Sequence, residues 1–191
     1  MDVIRRLPVV LCVACAVFGP SRPAPAAETF YVGAQLPYSV VQGDFDNSHA
    51  PEVDAGLGLG VSFGYWLLPK LALEVSWSVS KHKSAGATIG IEERSLSGRY
   101  LLSEDKSTQP YVLLGYGQFS LGDSSLTFGG RGFRFGLGFD SFLDPKFSLG
   151  AALVRSVPSY NKIEKSEGPA TLVGGLRGDM TSLILNMKYH F

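Results

Sequence analysis

Apolar and polar residues alternate with a period of two along most of the chain beyond residue 28. In the stretch 57–66, large apolar side chains occupy every second position, and glycine or serine fills most positions between them. The stretch 71–80 repeats this pattern, and residues 67–70 between the two include Pro69, which suits a tight turn. Because successive side chains of a strand point to opposite faces, this period predicts two β-strands joined as a hairpin.

The same alternation recurs in six further segments. They are 29–39, 87–102, 111–121, a stretch around 132–140, a stretch around 147–153, and 181–191. Within 87–102 the charged residues Glu92, Glu93 and Arg94 interrupt the pattern, so the first half of that segment is ambiguous. No segment after the first 27 residues shows a sustained helical period with caps. The sequence therefore predicts eight strands and no substantial helix.

The connections between these strands alternate in length. Those at 67–70, 103–109 and 143–146 are short, whereas those at 40–54, 81–86, 122–130 and 158–180 are generally longer and polar. An even number of strands with short turns on one side and longer loops on the other is typical of outer-membrane barrels. The predicted fold class is all-β, an eight-stranded antiparallel up-and-down transmembrane β-barrel.

The chemistry of the two strand faces favours a membrane barrel over a secreted soluble β-sandwich, which is the alternative fold. One face of each strand carries large apolar side chains, and the other carries glycine, serine and alanine with single charges. A face of small residues suits the narrow interior of an eight-stranded barrel, and closure satisfies every backbone polar group in lipid.

Aromatic residues cluster near the short-turn ends of the predicted strands. Such clustering predicts an interfacial girdle on the periplasmic side of a membrane barrel. The residues expected to form it are Phe30, Tyr31, Tyr65, Trp66, Tyr100, Tyr111, Phe142, Phe147, Tyr189 and Phe191.

Composition excludes two broad classes of protein. The chain has 191 residues, of which 45% are hydrophobic, and its 17 basic and 17 acidic residues give a formal net charge of zero. Ample apolar content without net charge excludes intrinsic disorder. A nucleic-acid-binding protein would be clearly basic, so nucleic acid is not an expected partner.

The first 27 residues have the layout of a secretory signal peptide. Arg5 and Arg6 precede an apolar run at 7–18, and small residues at 24–27 supply a cleavage site. The run is too short for a membrane-spanning helix, which needs about 20 residues. A lipoprotein anchor at Cys15 is a weaker alternative, because Cys12 stands where a lipobox has leucine. The expected domains are a signal peptide at 1–27, which removes both cysteines, and a barrel at 28–191.

Several segments resemble a known family. The motifs Pro110-Tyr111-Val112, Gly115-Tyr116-Gly117 and the terminal Tyr189-His190-Phe191, together with the signal and the eight alternating segments, resemble small bacterial outer-membrane barrels of the OmpA/OmpX type. The resemblance implies a porin-like, monomeric protein of the outer membrane in contact with lipid and lipopolysaccharide. It also implies that Tyr189 and Phe191 form a C-terminal signal read by the barrel assembly machinery.

Five charged residues are expected to face the barrel interior. Because positive and negative charges are nearly equal in number among them, we expect these residues to form salt bridges that plug the lumen, which is too narrow for much water. A narrow pore is the alternative interpretation. The five residues are Glu74, Arg99, Arg134, Asp140 and Lys188.

Candidate catalytic and metal-binding groups are sparse. His82, Ser84 and Glu92 could form a nucleophilic constellation at the outer rim, as in a lipid A-modifying enzyme, but no motif surrounds the histidine. A metal site of His49 with Asp46 and Asp54 is weaker, since acids in such loops commonly form turns. We predict no enzymatic activity, no catalytic residue, no metal and no cofactor.

Loops are the expected location of function. The segment Pro158–Met180 is the longest predicted loop and carries charges of both signs. Exposed loops on a rigid barrel commonly hold binding sites. The predicted function is therefore an outer-membrane barrel with a structural or adhesin-like surface role, possible ligands being host or surface molecules. The alternatives are a rim-active lipid A-modifying enzyme and a narrow pore.

Overall fold

A computed structural model describes residues 30–44, 53–84, 87–103, 107–122, 126–165 and 171–191. The expected signal peptide at 1–27, with both cysteines, lies outside these residues. Among the described residues, no helix is long and apolar enough to cross a membrane.

The described residues form eight strands of 13 to 20 residues each. In chain order the strands are β1 (Phe30–Asp44), β2 (Gly56–Leu68), β3 (Leu71–Ser84), β4 (Ala87–Leu101), β5 (Thr108–Gly122), β6 (Leu126–Phe142), β7 (Phe147–Lys165) and β8 (Thr171–His190).

Each strand pairs antiparallel with the next, and β8 pairs with β1 to close the barrel. The closing seam is continuous from Tyr31 opposite His190 to Asp44 opposite Arg177. Closure leaves no unpaired sheet edge, which is the condition for a sheet to lie in lipid. The predicted fold class is confirmed. Phe30, where β1 begins, and Phe191 lie at the end that carries the turn 69–70 and the connections 102–107 and 143–146, and we call this the periplasmic end. The opposite end is called the loop end.

Alternate side chains along each strand point outward and into the lumen. In β2, Leu57 and Leu59 point outward and are 65% and 71% exposed, whereas Ser62 lies inward and is 3% exposed. The outer wall is therefore apolar, and most of the small and polar side chains are buried inside. This distribution is the reverse of that in a water-soluble β-sandwich.

Glycines on the lumen face make room for large buried side chains. A Cβ added at Gly64 would overlap the ring of Tyr31, and a Cβ added at Gly150 would overlap a carboxylate oxygen of Asp140. A narrow barrel can hold a large side chain from one strand only where the facing position of another strand is small. The glycine content of the sequence therefore reflects how the lumen is packed.

The strands extend further toward the loop end than the sequence pattern predicts. The expected loop Pro158–Met180 is wrong, because β7 continues to Lys165 and β8 begins at Thr171. The expected loops 81–86 and 122–130 are likewise mostly strand. The reason is that outward side chains are polar where a strand extends beyond the hydrocarbon core of the membrane. The apolar alternation therefore ends before the hydrogen-bonded pairing of the strands does.

The expected aromatic girdle is only partly present. Tyr65, Tyr100 and Phe191 point outward near the periplasmic end, but Tyr31 and Tyr111 are buried in the lumen. Phe142 is also buried, and Trp66 packs against buried residues of the lumen, so the assignment of these two residues to the girdle is wrong as well. An aromatic residue near one end of a strand can lie on either face of the barrel wall, because neighbouring positions of a strand point in opposite directions. Clustering along the chain therefore did not distinguish outward rings from rings in the lumen.

Candidate functional site

Four charged side chains meet in the lumen near the periplasmic end. Glu74, Arg99, Asp140 and Lys188 project from β3, β4, β6 and β8, and we call them the charge cluster. Arg99 and Lys188 are 2% and 1% exposed. The cluster contains two cations and two anions, so its formal charge is zero.

Asp140 is the centre of the charge cluster. It accepts a hydrogen bond from Arg99, and both of its carboxylate oxygens lie 3.1 Å from Nζ of Lys188. Glu74 lies 3.9 Å from each of the two cations. Tyr31 donates a hydrogen bond of 2.7 Å to Glu74. The guanidinium of Arg99 also lies over the ring of Tyr111, 3.6 Å from its centroid.

A second buried ion pair lies nearer the middle of the barrel. Arg134 is 2.9 Å from Glu93 and donates hydrogen bonds to the hydroxyls of Ser76 and Ser95. Arg134 is one of the five charges expected in the interior, whereas Glu93 is not among them. The alternation along β4 could have identified it, because Glu93 lies an even number of positions from the inward residues Ser95, Ser97 and Arg99.

Two apolar clusters fill other parts of the lumen. One extends from the periplasmic end to the middle and consists of Leu101, Tyr111, Leu113, Ala152, Val154 and Ile184, packed against Trp66. The other lies toward the loop end and consists of Ile91, Phe119, Leu121, Tyr160 and Met180. Tyr160 and Met180 come from the segment that was expected to be a loop. Side chains from most of the strands therefore occupy the lumen at several levels.

The expected constellation at His82 is not assembled as predicted. His82 donates from Nδ1 to the carbonyl oxygen of Asp54 at 3.0 Å, so its Nε2 accepts from the Ser80 hydroxyl at 2.9 Å. Glu92 instead lies on the outer wall of the barrel, where it accepts hydrogen bonds from Trp77 and Arg94. The side chain of Ser84 lies outside the described residues. His82 is thus held by a buried serine and a backbone carbonyl, with no carboxylate partner in the described part of the chain.

Most of the candidate metal site lies outside the described residues. His49 and Asp46 lie outside the described residues, and Asp54 contributes its backbone carbonyl to His82. Within the described ranges, no three histidine, cysteine, aspartate or glutamate residues are grouped so that they could hold a metal ion.

The C-terminal residues pack against the first strand and β7. The ring of Phe191 stacks on that of Phe30, with centroids 4.6 Å apart, and Tyr189 contacts Phe147 edge to face at 5.0 Å. His190 points inward and is hydrogen-bonded to Ser148 at 2.9 Å. The role of Tyr189 and Phe191 as an assembly signal stays a prediction from the resemblance.

Comparison with known proteins agrees with this architecture. The family model for the outer membrane protein beta-barrel domain matches residues 11–191. The outer membrane protein OprG from Pseudomonas aeruginosa superposes with a TM-score of 0.56 at 18% identity, over 90% of this chain and 98% of that one. Neisserial surface protein A superposes with a TM-score of 0.58 at 18% identity, over 85% and 97% of the two chains.

A third structural neighbour is Ail, the attachment invasion locus protein of Yersinia pestis. Its TM-score is 0.54 at 13% identity, over 86% of this chain and all of that one. No curated protein matches the chain. At these identities the solved structures share the fold with this chain, and the family match rests on its sequence.

Proposed function

Because this chain belongs to the outer membrane protein beta-barrel domain family and lies in the bacterial outer membrane, we propose that it acts there as a non-conducting barrel. Its rigid wall stabilises the membrane, and its loop end provides a surface for interaction. We assign it no catalytic step, since the pair of His82 and Ser80 at the loop end is buried and has no carboxylate partner among the residues that the structure describes.

The observation that carries this proposal is the content of the lumen. Arg99, Asp140 and Lys188 are almost fully buried and form ion pairs with one another, which a water-filled channel would not require. The Arg134–Glu93 pair and the two apolar clusters occupy further levels. An ion crossing the barrel would have to separate buried charge pairs, and breaking a buried pair costs about 3–5 kcal/mol.

We expect the folded protein to show no large, stable open state in planar lipid bilayers. The measurement is single-channel current under an applied voltage, with folding checked beforehand by a heat-dependent gel shift. A wider outer-membrane porin inserted in the same bilayers is the positive control. Long-lived openings with porin-like conductance would contradict the plugged lumen and favour the pore alternative.

The surface role is tested by shortening the connection 45–55, which joins β1 to β2 at the loop end. We expect cells lacking the whole protein to be more sensitive to detergent, because they lose the barrel from the membrane. Cells carrying a variant without residues 47–51 should keep their detergent resistance but bind less to host-cell surfaces. Deleting residues 104–105, which shortens the periplasmic connection 102–107 but leaves enough residues for a hairpin, is the control. If binding is unchanged by the deletion at 47–51, this connection does not carry the surface role.

A further inference from the structure

His82 joins the residues that precede β2 to the inner face of β3 at the loop end. Its Nδ1 donates to the carbonyl oxygen of Asp54 at 3.0 Å, and its Nε2 accepts from the Ser80 hydroxyl at 2.9 Å. The backbone N–H of Asp54 also donates to the carbonyl oxygen of Lys83 at 2.8 Å. Two hydrogen bonds therefore hold Asp54 against β3, and one of them depends on the imidazole ring. We call His82, Ser80 and the Asp54 carbonyl the histidine site.

The ring of His82 fits closely between β2 and β3. His82 is 1% exposed, and a Cβ added at Gly56 would overlap its ring. Any larger residue at position 56 would displace the ring, so Gly56 makes this close contact between the two strands possible. The hydrogen bond from the ring to Asp54 therefore depends on how the start of β2 lies against β3.

The side chains packed beside the ring are uncharged. On β4, Ile89 is in register with His82 and Ile91 is in register with Ser80, and both isoleucines are at least partly buried. The facing position of β2 is Gly56, which has no side chain. An imidazolium at this position would therefore be a buried cation in an apolar setting, and burying an unpaired charge is unfavourable.

The charged groups nearby do not offset such a cation. Lys81 and Lys83, which precede and follow the histidine in β3, are exposed and positive. The Asp54 side chain is exposed and makes no ion pair with the ring. Glu93 is the first inward acid of β4 from the loop end, and a salt bridge to an arginine of β6 already neutralises it. Within the described residues, the histidine therefore has no carboxylate to balance a positive charge.

A second proton on the ring would also disrupt the hydrogen bond at Nε2. A protonated imidazole donates from both nitrogens, so Nε2 would need an acceptor where it now accepts. The Ser80 hydroxyl would have to turn its hydrogen away, and no second partner for that hydrogen lies among the described residues. Protonation in place therefore creates both a buried charge and an unpaired hydroxyl hydrogen. Neither arises if the ring leaves the histidine site and meets water.

We propose that the histidine site is a pH-sensitive attachment, which holds residues 53–55 on β3 at neutral pH and releases them when His82 gains a proton. Histidine side chains ordinarily gain a proton between about pH 8 and pH 5. Because the released state takes up the proton and the attached state does not, the attachment is strongest at neutral pH and is lost as the pH falls. The proposal rests on the proposed function only in that residues 53–55 belong to the connection 45–55, to which the surface role is assigned.

The test follows the exchange of the Asp54 amide hydrogen with solvent, by NMR on the folded barrel in lipid nanodiscs at about pH 7.5 and about pH 5. Protection factors remove the effect of pH on the intrinsic exchange rate. A histidine in water, with a pKa of about 6.5, is about thirtyfold more often charged than neutral at pH 5. We therefore expect the protection factor of the Asp54 amide to fall about tenfold or more.

An amide at the other end of the barrel is the internal control. The Leu102 N–H donates to the carbonyl oxygen of Pro110 at 2.8 Å near the periplasmic end, and its protection should be the same at both pH values. Unchanged protection of the Asp54 amide would overturn the proposal. An equal fall at both amides would show a general loosening of the barrel and would overturn it too.

Two glutamine variants assign the effect to one histidine. In His82→Gln the side-chain amide can donate to Asp54 and accept from Ser80 without titrating, so the protection at Asp54 should no longer depend on pH. The matched control is His49→Gln, which removes the histidine of the connection 45–55 and should keep the fall in protection. A fall that persists in His82→Gln, or that disappears in His49→Gln, would contradict the assignment to His82.

A measurement on the unchanged protein keeps the proposal testable if His82→Gln does not fold. Nitrogen-15 NMR distinguishes the two ring nitrogens, and we expect His82 to carry its proton on Nδ1 at about pH 7.5 and protons on both nitrogens at about pH 5. A ring that stays neutral at pH 5, or one that gains a proton while the Asp54 amide stays protected, would overturn the proposal. These results do not depend on binding to host surfaces, so failure of the attachment and failure of the surface role are distinguishable.

Discussion

Replacing Asp140 with asparagine is expected to lower the free energy of unfolding by about 3–5 kcal/mol, which is typical of removing one partner from a buried ion pair. Asp140 is the acid that directly contacts both Arg99 and Lys188, which are almost fully buried. After the substitution Glu74 would be the one described acid facing the two cations, at 3.9 Å from each, and the charge cluster would carry a net positive charge. The measurement is urea unfolding in lipid vesicles followed by tryptophan fluorescence.

Two further variants distinguish two causes of lost stability. One cause is a buried charge that is left without a partner, and the other is the loss of any ion pair, buried or exposed. Asp179→Asn breaks the pair with Arg155 on the outer wall, where Arg155 is 55% exposed, and should change stability little because solvent screens that pair. Lys188→Met in the Asp140→Asn background restores charge balance and should recover about half of the lost stability. If Asp140→Asn and Asp179→Asn were equally mild, the charge cluster would not be a buried structural plug.

Substituting Gly64 with valine is expected to destabilise the barrel by about 3 kcal/mol or more, since overpacking typically costs about 1–3 kcal/mol and a lost hydrogen bond to a charged group adds to it. The added Cβ would overlap the ring of Tyr31. Tyr31 is fully buried and donates a hydrogen bond to Glu74. Displacing the ring therefore also disturbs the charge cluster. Urea unfolding in vesicles measures this loss, and the heat-dependent gel shift reports whether the barrel forms.

The matched control is Gly98→Val on the outer wall. An added Cβ there has its nearest neighbour at 3.8 Å, and a valine side chain would point away from the lumen. We expect a change within about 0.5 kcal/mol, or slight stabilisation, because glycine inside a strand is entropically unfavourable. Similar losses at Gly64 and Gly98 would mean that valine disturbs the strands generally, and that close packing against Tyr31 is not the cause.

The membrane-spanning part of each strand could be predicted because lipid imposes a strict rule on its sequence. Outward residues such as Leu59 and Phe63 must be apolar, and every second position must then fit a narrow lumen. The same rule explains the errors at the loop end. In the segment 158–180 the outward positions include Ser159, Arg177 and Asp179, so no apolar alternation marks the strands there. Only the hydrogen-bonded pairing between β7 and β8 reveals them.

The partners of the inward charges could not be predicted from the chain. The alternation of side chains between the two faces of each strand was enough to place Glu74, Arg99 and Asp140 on the inner face. Which of them meet depends on the register of strands that are far apart in sequence. Arg99 and Asp140 are 41 residues apart, and Asp140 and Lys188 are 48 apart. The stagger that brings them together is a property of the closed barrel.

The sequence by itself determined the number of strands, their order along the chain, the face on which the side chains of the apolar alternation lie, and the membrane environment. These are local properties, because a period of two and the polarity of each face are set by neighbouring residues. Only the tertiary structure decided that Asp140 joins Arg99 to Lys188 and that His82 pairs with Ser80. Each of these contacts depends on strand register and barrel closure, which fix distances between residues that no local pattern relates.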